Sequence, residues 1–355
     1  MDFVGATETE ERAGIEAVRR ACVITRRLQQ HIINTPTLKH TKDDDSPVTL
    51  GDYAAQAVIS DTLAHFSPTI AGIPIMGEED SRALEEPQFA DLLAAIATES
   101  GLDKETVVSS LSRCDCKGGE DVDEFWVVDP IDGTKGFVRG GQYAVCLALI
   151  RHGRVVLGLL GVPNLFLLDQ PDQRDVEGTL ESQAVEAVEE QGGVVLVARA
   201  GTGVVRQLSI DPMDGEGGEE VEEMVEVDGG VEDIEKAVVV ESFESGHTSH
   251  GWASSLLTSL GNTQPTLRVD SQTKYALVAT GRAHVYLRNV PNYREKIWDH
   301  AAGYLIVKEA GGVVFDLKGN DLCWTAGERM PEGSVGVIAA SSPQLASQIL
   351  QALTE

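Results

Sequence analysis

Residues 125–134 of the chain read FWVVDPIDGT, an apolar run followed by two aspartates. The apolar run 125–128 predicts a buried strand. Asp129 and Asp132 follow at its carboxyl end, beside turn-forming residues. Pro130 disfavours continuation of a strand, so we expect both carboxylates to turn toward one pocket. Because active sites commonly form at the carboxyl ends of strands, the stretch predicts a site at the edge of a sheet.

Two further segments and one helix start also carry carboxylates. Residues 77–80 read GEED and follow a short apolar strand at 72–76, whose proline indicates an edge position. Asp299 lies in WDHAAG, residues 298–303, and Asp52 begins an apolar helical run. Taken singly, each of these two aspartates is more typical of a helix N-cap than of a metal ligand, and Glu78 is more typical of a solvated turn. Together they favour one carboxylate cluster.

Such a cluster has a chemical use. Magnesium prefers oxygen ligands and binds substrate phosphates. Two ions can activate the attacking water and stabilise the leaving oxygen of a phosphoryl transfer. The chain carries 57 Asp and Glu against 28 Lys and Arg, a net charge of −29. This charge disfavours nucleic acid polymers as partners, and an anionic substrate then requires bound cations.

Composition bounds the class of protein. At 355 residues and 42% hydrophobic content, the chain predicts one large or two closely packed domains. No apolar run approaches the roughly 18 residues of a membrane span, and the first residues lack the features of a secretory signal. Five cysteines at irregular spacing suit a reducing compartment. We therefore expect a cytoplasmic monomer with no membrane partner.

The chain divides into two expected regions. Residues 1–196 predict an α+β domain with most of the carboxylates, a helix at 15–30 and a hairpin of strands at 143–150 and 155–160. Residues 197–355 predict an α/β domain. Its expected strands are 237–240, 266–269, 284–287, 313–316 and 335–340. Residues from about 170 to 236 are the least structured by composition, and 211–235 predict a solvated acidic loop.

In this order along most of the chain, the segments resemble the metal-binding motifs of the inositol monophosphatase superfamily, which are lithium-sensitive magnesium phosphatases. The resemblance implies an α/β (α+β) fold, the layered αβαβα sandwich of the inositol monophosphatase and fructose-bisphosphatase type. It implies two or more Mg²⁺ ions. The residues that match its metal ligands are Glu78, Asp129, the carbonyl of Ile131, Asp132 and Asp299.

Asp52 and Thr134 match the pair that activates water in the superfamily. A carboxylate at Asp52 would accept the proton of the Thr134 hydroxyl, and the threonine oxygen would then orient the attacking water. Glu79 is expected to support its neighbour rather than bind metal.

Other segments resemble the 3′(2′),5′-bisphosphate nucleotidase branch, namely 42–53, 132–137, 244–250 and 270–275. This resemblance implies hydrolysis of the 3′-phosphate of adenosine 3′,5′-bisphosphate, with 3′-phosphoadenosine 5′-phosphosulfate as a second substrate, and a role in sulfur assimilation. Lys and Arg can hold the unreacting phosphate. The residues expected to bind substrate are Gly133, Thr134, His247, Ser271, Lys274 and Arg288.

Alternatives stay open at this point. His247 and Lys274 could be ordinary surface residues, and Arg288 an edge charge of a strand. An inositol polyphosphate 1-phosphatase is the first rival, because Lys274 and Arg288 could equally hold a ring phosphate. A nucleotide-binding sensor without catalysis is the second, although the full set of ligands and the water-activating pair argue against it.

Overall fold

The computed structural model describes residues 4–34, 39–41, 47–80, 90–165, 193–211, 222–244 and 249–354. Its helices are α1 (Glu8–Asn34), α2 (Leu50–Phe66), α3 (Pro68–Ala71), α4 (Ala90–Ser100), α5 (Lys104–Ser112), α6 (Thr134–Arg139), α7 (His250–Ser259), α8 (Thr273–Ala279), α9 (Ala301–Glu309) and α10 (Pro343–Thr354). Its strands are β1 (Lys39–Thr41), β2 (Pro47–Thr49), β3 (Ile75–Gly77), β4 (Glu124–Asp132), β5 (Ala144–Arg151), β6 (Arg154–Val162), β7 (Val194–Arg199), β8 (Val205–Ser209), β9 (Glu223–Val225), β10 (Val239–Glu241), β11 (Leu267–Arg268), β12 (Val285–Arg288), β13 (Val313–Phe315) and β14 (Val337–Ala340).

The first large sheet has seven strands in sequential order, β3 to β9. The pair β3 and β4 is parallel and the other pairs are antiparallel. β3 lies at the edge, as Pro74 predicted. The predicted hairpin is β5 and β6, and both of its turn residues, His152 and Gly153, have positive φ. Two positive φ values match the right-handed twist of the paired strands, which explains the tight connection.

The second large sheet has five strands in the order β11-β10-β12-β14-β13. The first three are parallel, and β14 is antiparallel to both of its neighbours. All five strands lie where the sequence predicted them. The carboxyl ends of the three parallel strands meet at one edge, a common position for a ligand site in an α/β protein.

Three apolar clusters stack these elements into five layers. The outer face of the first sheet packs on α1 and α2, through Val18 and Ile59 among others. Its inner face shares a cluster with α8, α9 and the second sheet, through Tyr275 and Leu305. The far face of the second sheet packs on α7 and α10, through Ile349. This order is the predicted αβαβα sandwich, so the fold-class prediction is confirmed.

Helix α1 begins seven residues before the predicted start. The Thr7 hydroxyl accepts from the Glu10 backbone N–H at 3.2 Å, and Glu10 accepts from the Thr7 N–H at 2.7 Å. This reciprocal pair is a capping box, which satisfies free N–H groups at the helix start. Gly14 therefore lies inside the helix, where a Cβ would come within 2.8 Å of Leu159 on β6.

The expectation of little structure from about 170 to 236 was wrong for its described part. β7 (VVLVAR) and β8 (VRQLS) extend the first sheet. The expectation failed because acidic residues before and after these strands dominate the composition of the segment. Part of the predicted acidic loop is also a strand, β9. The predicted domain boundary between residues 196 and 197 falls inside β7, and the first sheet continues to Val225. The division into two domains stays a prediction.

Candidate active site

Five carboxylates predicted from the sequence come from four different places in the fold. Asp52 lies in the first turn of α2, and Glu78 directly follows β3. Asp129 and Asp132 belong to β4, the neighbour of β3 in the sheet. Asp299 ends a 3₁₀ turn that precedes α9. Because the tip of a sheet, a helix start and a turn converge here, residues far apart in sequence share one site.

A bulge in β4 places two of these carboxylates on the same side of the strand. Asp129 pairs with Cys146 and Asp132 with Ala144, so three steps along β4 face two steps along β5. Residues three apart in a regular strand point to opposite faces, and the extra residue restores a common face. The expectation that Pro130 ends the strand was wrong, since β4 continues to Asp132. Pro130 instead lies in the bulge, where its missing N–H costs no ladder hydrogen bond.

Charge effects on Asp129 indicate that the five carboxylates lie near one another. Burial raises the pKa of Asp129 well above its ordinary value, and the negative charges of Glu78, Asp132, Asp299 and Asp52 raise it further. Burial likewise raises the pKa of Asp132 to about 6, although Lys274 opposes this shift. Burial and Asp132 raise the pKa of Asp299 to about 7. Without a cation, the cluster therefore disfavours its own full ionisation.

The cluster fits a hard divalent cation. Asp129 is 2% exposed, and its Oδ1 has no hydrogen-bond partner among the described residues. A buried carboxylate oxygen without a donor is destabilising unless a cation satisfies it. The donors are all oxygens, which suits magnesium better than softer metals. Glu78, Asp129, Asp132 and Asp299 are thus suitable ligands, and their roles stay predictions.

Asp299 also groups with Glu295 and His300, whose ligand atoms lie within 4.8 Å of one another. Glu295 and His300 have other partners, however. Glu295 Oε2 accepts from Arg288 Nε at 2.8 Å and lies 3.3 Å from His300 Nε2, while His300 Nδ1 lies 2.8 Å from the Tyr275 hydroxyl. This buried network supports the segment that carries Asp299, and Asp299 is its member that faces the other carboxylates.

The turn after β4 holds the predicted water-activating threonine. The Thr134 hydroxyl donates to the Ile131 carbonyl at 3.2 Å, so the two predicted groups lie side by side. Asp52 is 1% exposed and close enough to raise the pKa of Asp129. The backbone N–H and carbonyl of Glu79 both bond to the Gln56 amide, at 2.9 and 2.7 Å, which fixes the chain directly after Glu78. The pairing of Asp52 with Thr134 stays a prediction.

The predicted phosphate-holding cations are more enclosed than expected. Lys274 is 3% exposed, and its ammonium donates to the carbonyls of Val269 and Ser271 at 3.1 and 2.6 Å. Burial lowers the pKa of Lys274 to about 8. Arg288 ends β12, pairs with Glu295 and lies 4.0 Å from Asp299. The alternative that Lys274 is an ordinary surface residue was wrong, since it is buried. Arg288 does end a strand, but this strand is central in its sheet and Arg288 is buried, so it is not an edge charge. His247 lies outside the described residues.

Several residues at the site were not singled out from the sequence. Lys296 Nζ lies 3.2 Å from Glu78 Oε1 and 5.0 Å from the centre of the Trp298 ring. Arg139, at the end of α6, forms ion pairs with Glu244 and Asp270, which belong to the second half of the chain. The charges are visible in the sequence, but their partners lie 105 or more residues away. Only the fold shows what they contact.

Comparisons with known proteins agree with this arrangement. Residues 7–355 match the inositol monophosphatase family. A 3′,5′-bisphosphate nucleotidase AHL from Arabidopsis thaliana is 36% identical over 99% of this chain and 97% of its own length. A 3′(2′),5′-bisphosphate nucleotidase 2 from Candida albicans is 37% identical over 96% and 94%. The fold is similar to that of the extragenic suppressor protein SuhB from Bartonella henselae, with a TM-score of 0.60 and 19% identity, over 98% of this chain and 99% of that one.

The predicted superfamily resemblance is therefore confirmed by matches that span nearly the whole chain. This chain belongs to the inositol monophosphatase family.

Proposed function

We propose that this chain is a magnesium-dependent phosphatase that removes the 3′-phosphate of adenosine 3′,5′-bisphosphate, yielding the 5′-nucleotide and phosphate. The observation that carries the chemistry is the buried Asp129, whose pKa four neighbouring carboxylates raise. The nucleotide assignment is supported by relatives at 36 and 37% identity that are named bisphosphate nucleotidases. We include 3′-phosphoadenosine 5′-phosphosulfate as a second substrate, and a role in sulfur assimilation.

In this proposal Glu78, Asp129, the Ile131 carbonyl, Asp132 and Asp299 hold two or more magnesium ions. When bound, the ions supply charge neutralisation for the phosphate and acidify water. The chain's own side chains then transfer protons and bind the substrate.

Proton transfer falls to the first domain. The Thr134 hydroxyl donates a hydrogen bond to Asp52, and the threonine oxygen accepts one from the attacking water and orients it. As the water attacks, its proton passes to the Thr134 oxygen while the Thr134 proton passes to Asp52. The Thr134 hydroxyl donates to Ile131 in the structure, so a rotation about its Cα–Cβ bond completes the pair. The backbone N–H groups of Gly133 and Thr134 donate to phosphate oxygens at the start of α6.

Substrate selection falls to the edge where the parallel strands of the second sheet end. Lys274 uses two of its three ammonium donors on carbonyls, which leaves one for a phosphate oxygen. Arg288 keeps donors beyond the Nε–H that Glu295 accepts. We propose that these cations, with Ser271 and His247, hold the unreacting phosphate. The internal partners of Lys274 and Arg288 fix the orientation of these two side chains, so little rotamer entropy is lost on binding.

A substrate comparison tests the assignment. Purified protein with magnesium is assayed for phosphate release from adenosine 3′,5′-bisphosphate, inositol 1-phosphate and inositol 1,4-bisphosphate. We expect kcat/KM to be at least tenfold higher for the nucleotide. Preference for an inositol ester would favour the inositol phosphatase rival, and nucleotide binding by calorimetry without phosphate release would favour a sensor.

Cellular location, oligomeric state and inhibition by lithium are further properties that we propose. No helix within the described ranges is long and apolar enough to cross a membrane. All five cysteines are described, and all are free thiols. We propose a monomeric protein that works in the cytoplasm and is inhibited by lithium. Sedimentation and activity measured across lithium concentrations test the monomer and the inhibition.

A further inference from the structure

The loop at residues 270–273 docks closely on the turn that follows β4. Gly133 has φ of +86°, and a Cβ there would lie 2.8 Å from the Ser271 Cβ and 3.2 Å from its backbone nitrogen. Ser271 itself has φ of +67°, which L residues rarely adopt. Strain of this kind persists only where the surroundings impose it. The structure therefore holds the loop against the turn despite a conformational cost.

This close approach lets Gln272 contact both Asp132 and the segment that carries Asp299. Its backbone N–H donates to Asp132 Oδ2. Its side-chain Nε2 donates to the Trp298 carbonyl at 2.7 Å, and its Oε1 accepts from the Gly303 N–H at 2.9 Å. Trp298 lies in the 3₁₀ turn that Asp299 ends, and Gly303 lies in the first turn of α9, directly after it. Gln272 is 2% exposed, so water does not substitute for these hydrogen bonds.

We propose that Gln272 is a positioning residue that fixes Asp299 relative to Asp132, and so sets the geometry of the metal centre. This inference rests on the proposed function, because it treats these aspartates as ligands. β4 and the turn before α9 belong to different layers, and nothing in their local sequence dictates their spacing. The amide of Gln272 joins the Asp299 segment through two hydrogen bonds, while its backbone joins Asp132. Magnesium demands near-ideal ligand geometry, so loosening this connection should weaken metal binding.

The test measures metal affinity directly, by titrating full-length protein with Mn²⁺ and following free Mn²⁺ by electron paramagnetic resonance. Gln272→Met removes both side-chain hydrogen bonds at similar volume. Gln272→Asn keeps the chemistry but is one methylene shorter, so it cannot reach both partners, and it serves if the methionine variant does not fold. We expect either variant to raise the Mn²⁺ dissociation constant about tenfold, whereas the backbone bond to Asp132 remains available in both.

Gln29→Met is the matched control. Gln29 is 6% exposed, donates to the carbonyls of Phe137 and Gly141 at 3.1 Å each, and accepts from Asn164. The Gln29→Met substitution also removes a buried side-chain amide, but Gln29 contacts none of the predicted metal ligands. We expect the control to lose stability without a change in Mn²⁺ affinity. A Gln272 variant that binds Mn²⁺ within twofold of the wild type, or no more weakly than the control, overturns the inference.

A kinetic readout separates positioning from general damage. If Gln272 acts through metal geometry, more magnesium should restore most of the lost phosphate release, so the magnesium concentration for half-maximal activity rises more than kcat falls. If the wild type releases no phosphate from any substrate, the proposed function fails, while the Mn²⁺ titration still decides the role of Gln272.

Discussion

The raised pKa values of the cluster predict that the metal-free protein loses stability as the pH rises from 5 to 8. A carboxyl group whose pKa is higher in the folded state stabilises the fold at low pH, and this contribution is lost as the pH passes through the folded pKa. For Asp299 the folded value is about 7, against an ordinary value of 3.8. With these two pKa values, the linkage relation gives a decrease of about 3 kcal/mol in the free energy of unfolding between pH 5 and pH 8. Because the Asp299 side chain is 20% exposed, we reduce this to about 2 kcal/mol.

Asp132, with a pKa of about 6, adds about 1 kcal/mol over the same range. The two carboxyl groups interact, so the total is less than the sum of the separate values. Magnesium should remove most of this loss, because it stabilises the ionised carboxylates of the folded state only.

The assay is urea unfolding at pH 5, 6, 7 and 8 in the presence of a chelator, for the wild type and Asp299→Asn. We expect the free energy of unfolding to fall by about 2 kcal/mol more in the wild type than in the variant between pH 5 and pH 8. Asp121→Asn, at an exposed position, makes the same change of charge and should follow the wild type. Equal pH dependence in the wild type and Asp299→Asn would mean that the Asp299 carboxyl group does not titrate with a raised pKa in the folded protein.

Three further changes test other contacts. Thr134→Ala should lower kcat about 10²- to 10⁴-fold at saturating magnesium, because it removes the group that takes the proton of the attacking water. Mn²⁺ affinity should stay unchanged, since Thr134 is not a proposed ligand. Steady-state kinetics measure the loss in kcat, and an equal loss of Mn²⁺ affinity would contradict this role. Gly133→Ala should cost about 1–3 kcal/mol in urea unfolding, because its Cβ meets Ser271 at 2.8 Å; unchanged stability would mean that the loop can move away. Lys296→Met should tighten Mn²⁺ binding about fivefold, since it removes a positive charge 3.2 Å from Glu78. Weaker Mn²⁺ binding by the variant would instead mean that Lys296 holds the Glu78 carboxylate in position for the metal.

Much of the site was predictable because its residues follow strong local signals. The apolar run before Asp129, the edge proline before Glu78 and the hairpin at 151–154 each specify structure within a few residues. The superfamily motifs then gave the five-layer fold, which periodicity alone does not specify.

The contacts that tune the site were not predictable, because they depend on how the layers stack. Gln272 lies 140 residues from Asp132, and Lys296 lies 218 residues from Glu78. The enclosed positions of Lys274 and Arg288 likewise follow from packing between the two sheets. The strands β7 and β8 were missed for a different reason, namely that their apolar residues lie in a region of acidic composition.

A magnesium centre formed by the carboxylates around Asp129 underlies the proposed hydrolysis of phosphate esters. Its most direct test is phosphate release from adenosine 3′,5′-bisphosphate as magnesium is titrated, for the wild type and for Asp129→Asn. We predict that release by the wild type requires magnesium, and that the variant, folded to the same extent by circular dichroism, loses at least 10³-fold in kcat/KM at every concentration. Release that persists under a chelator, or near-normal activity of the variant, would contradict this role of the magnesium centre.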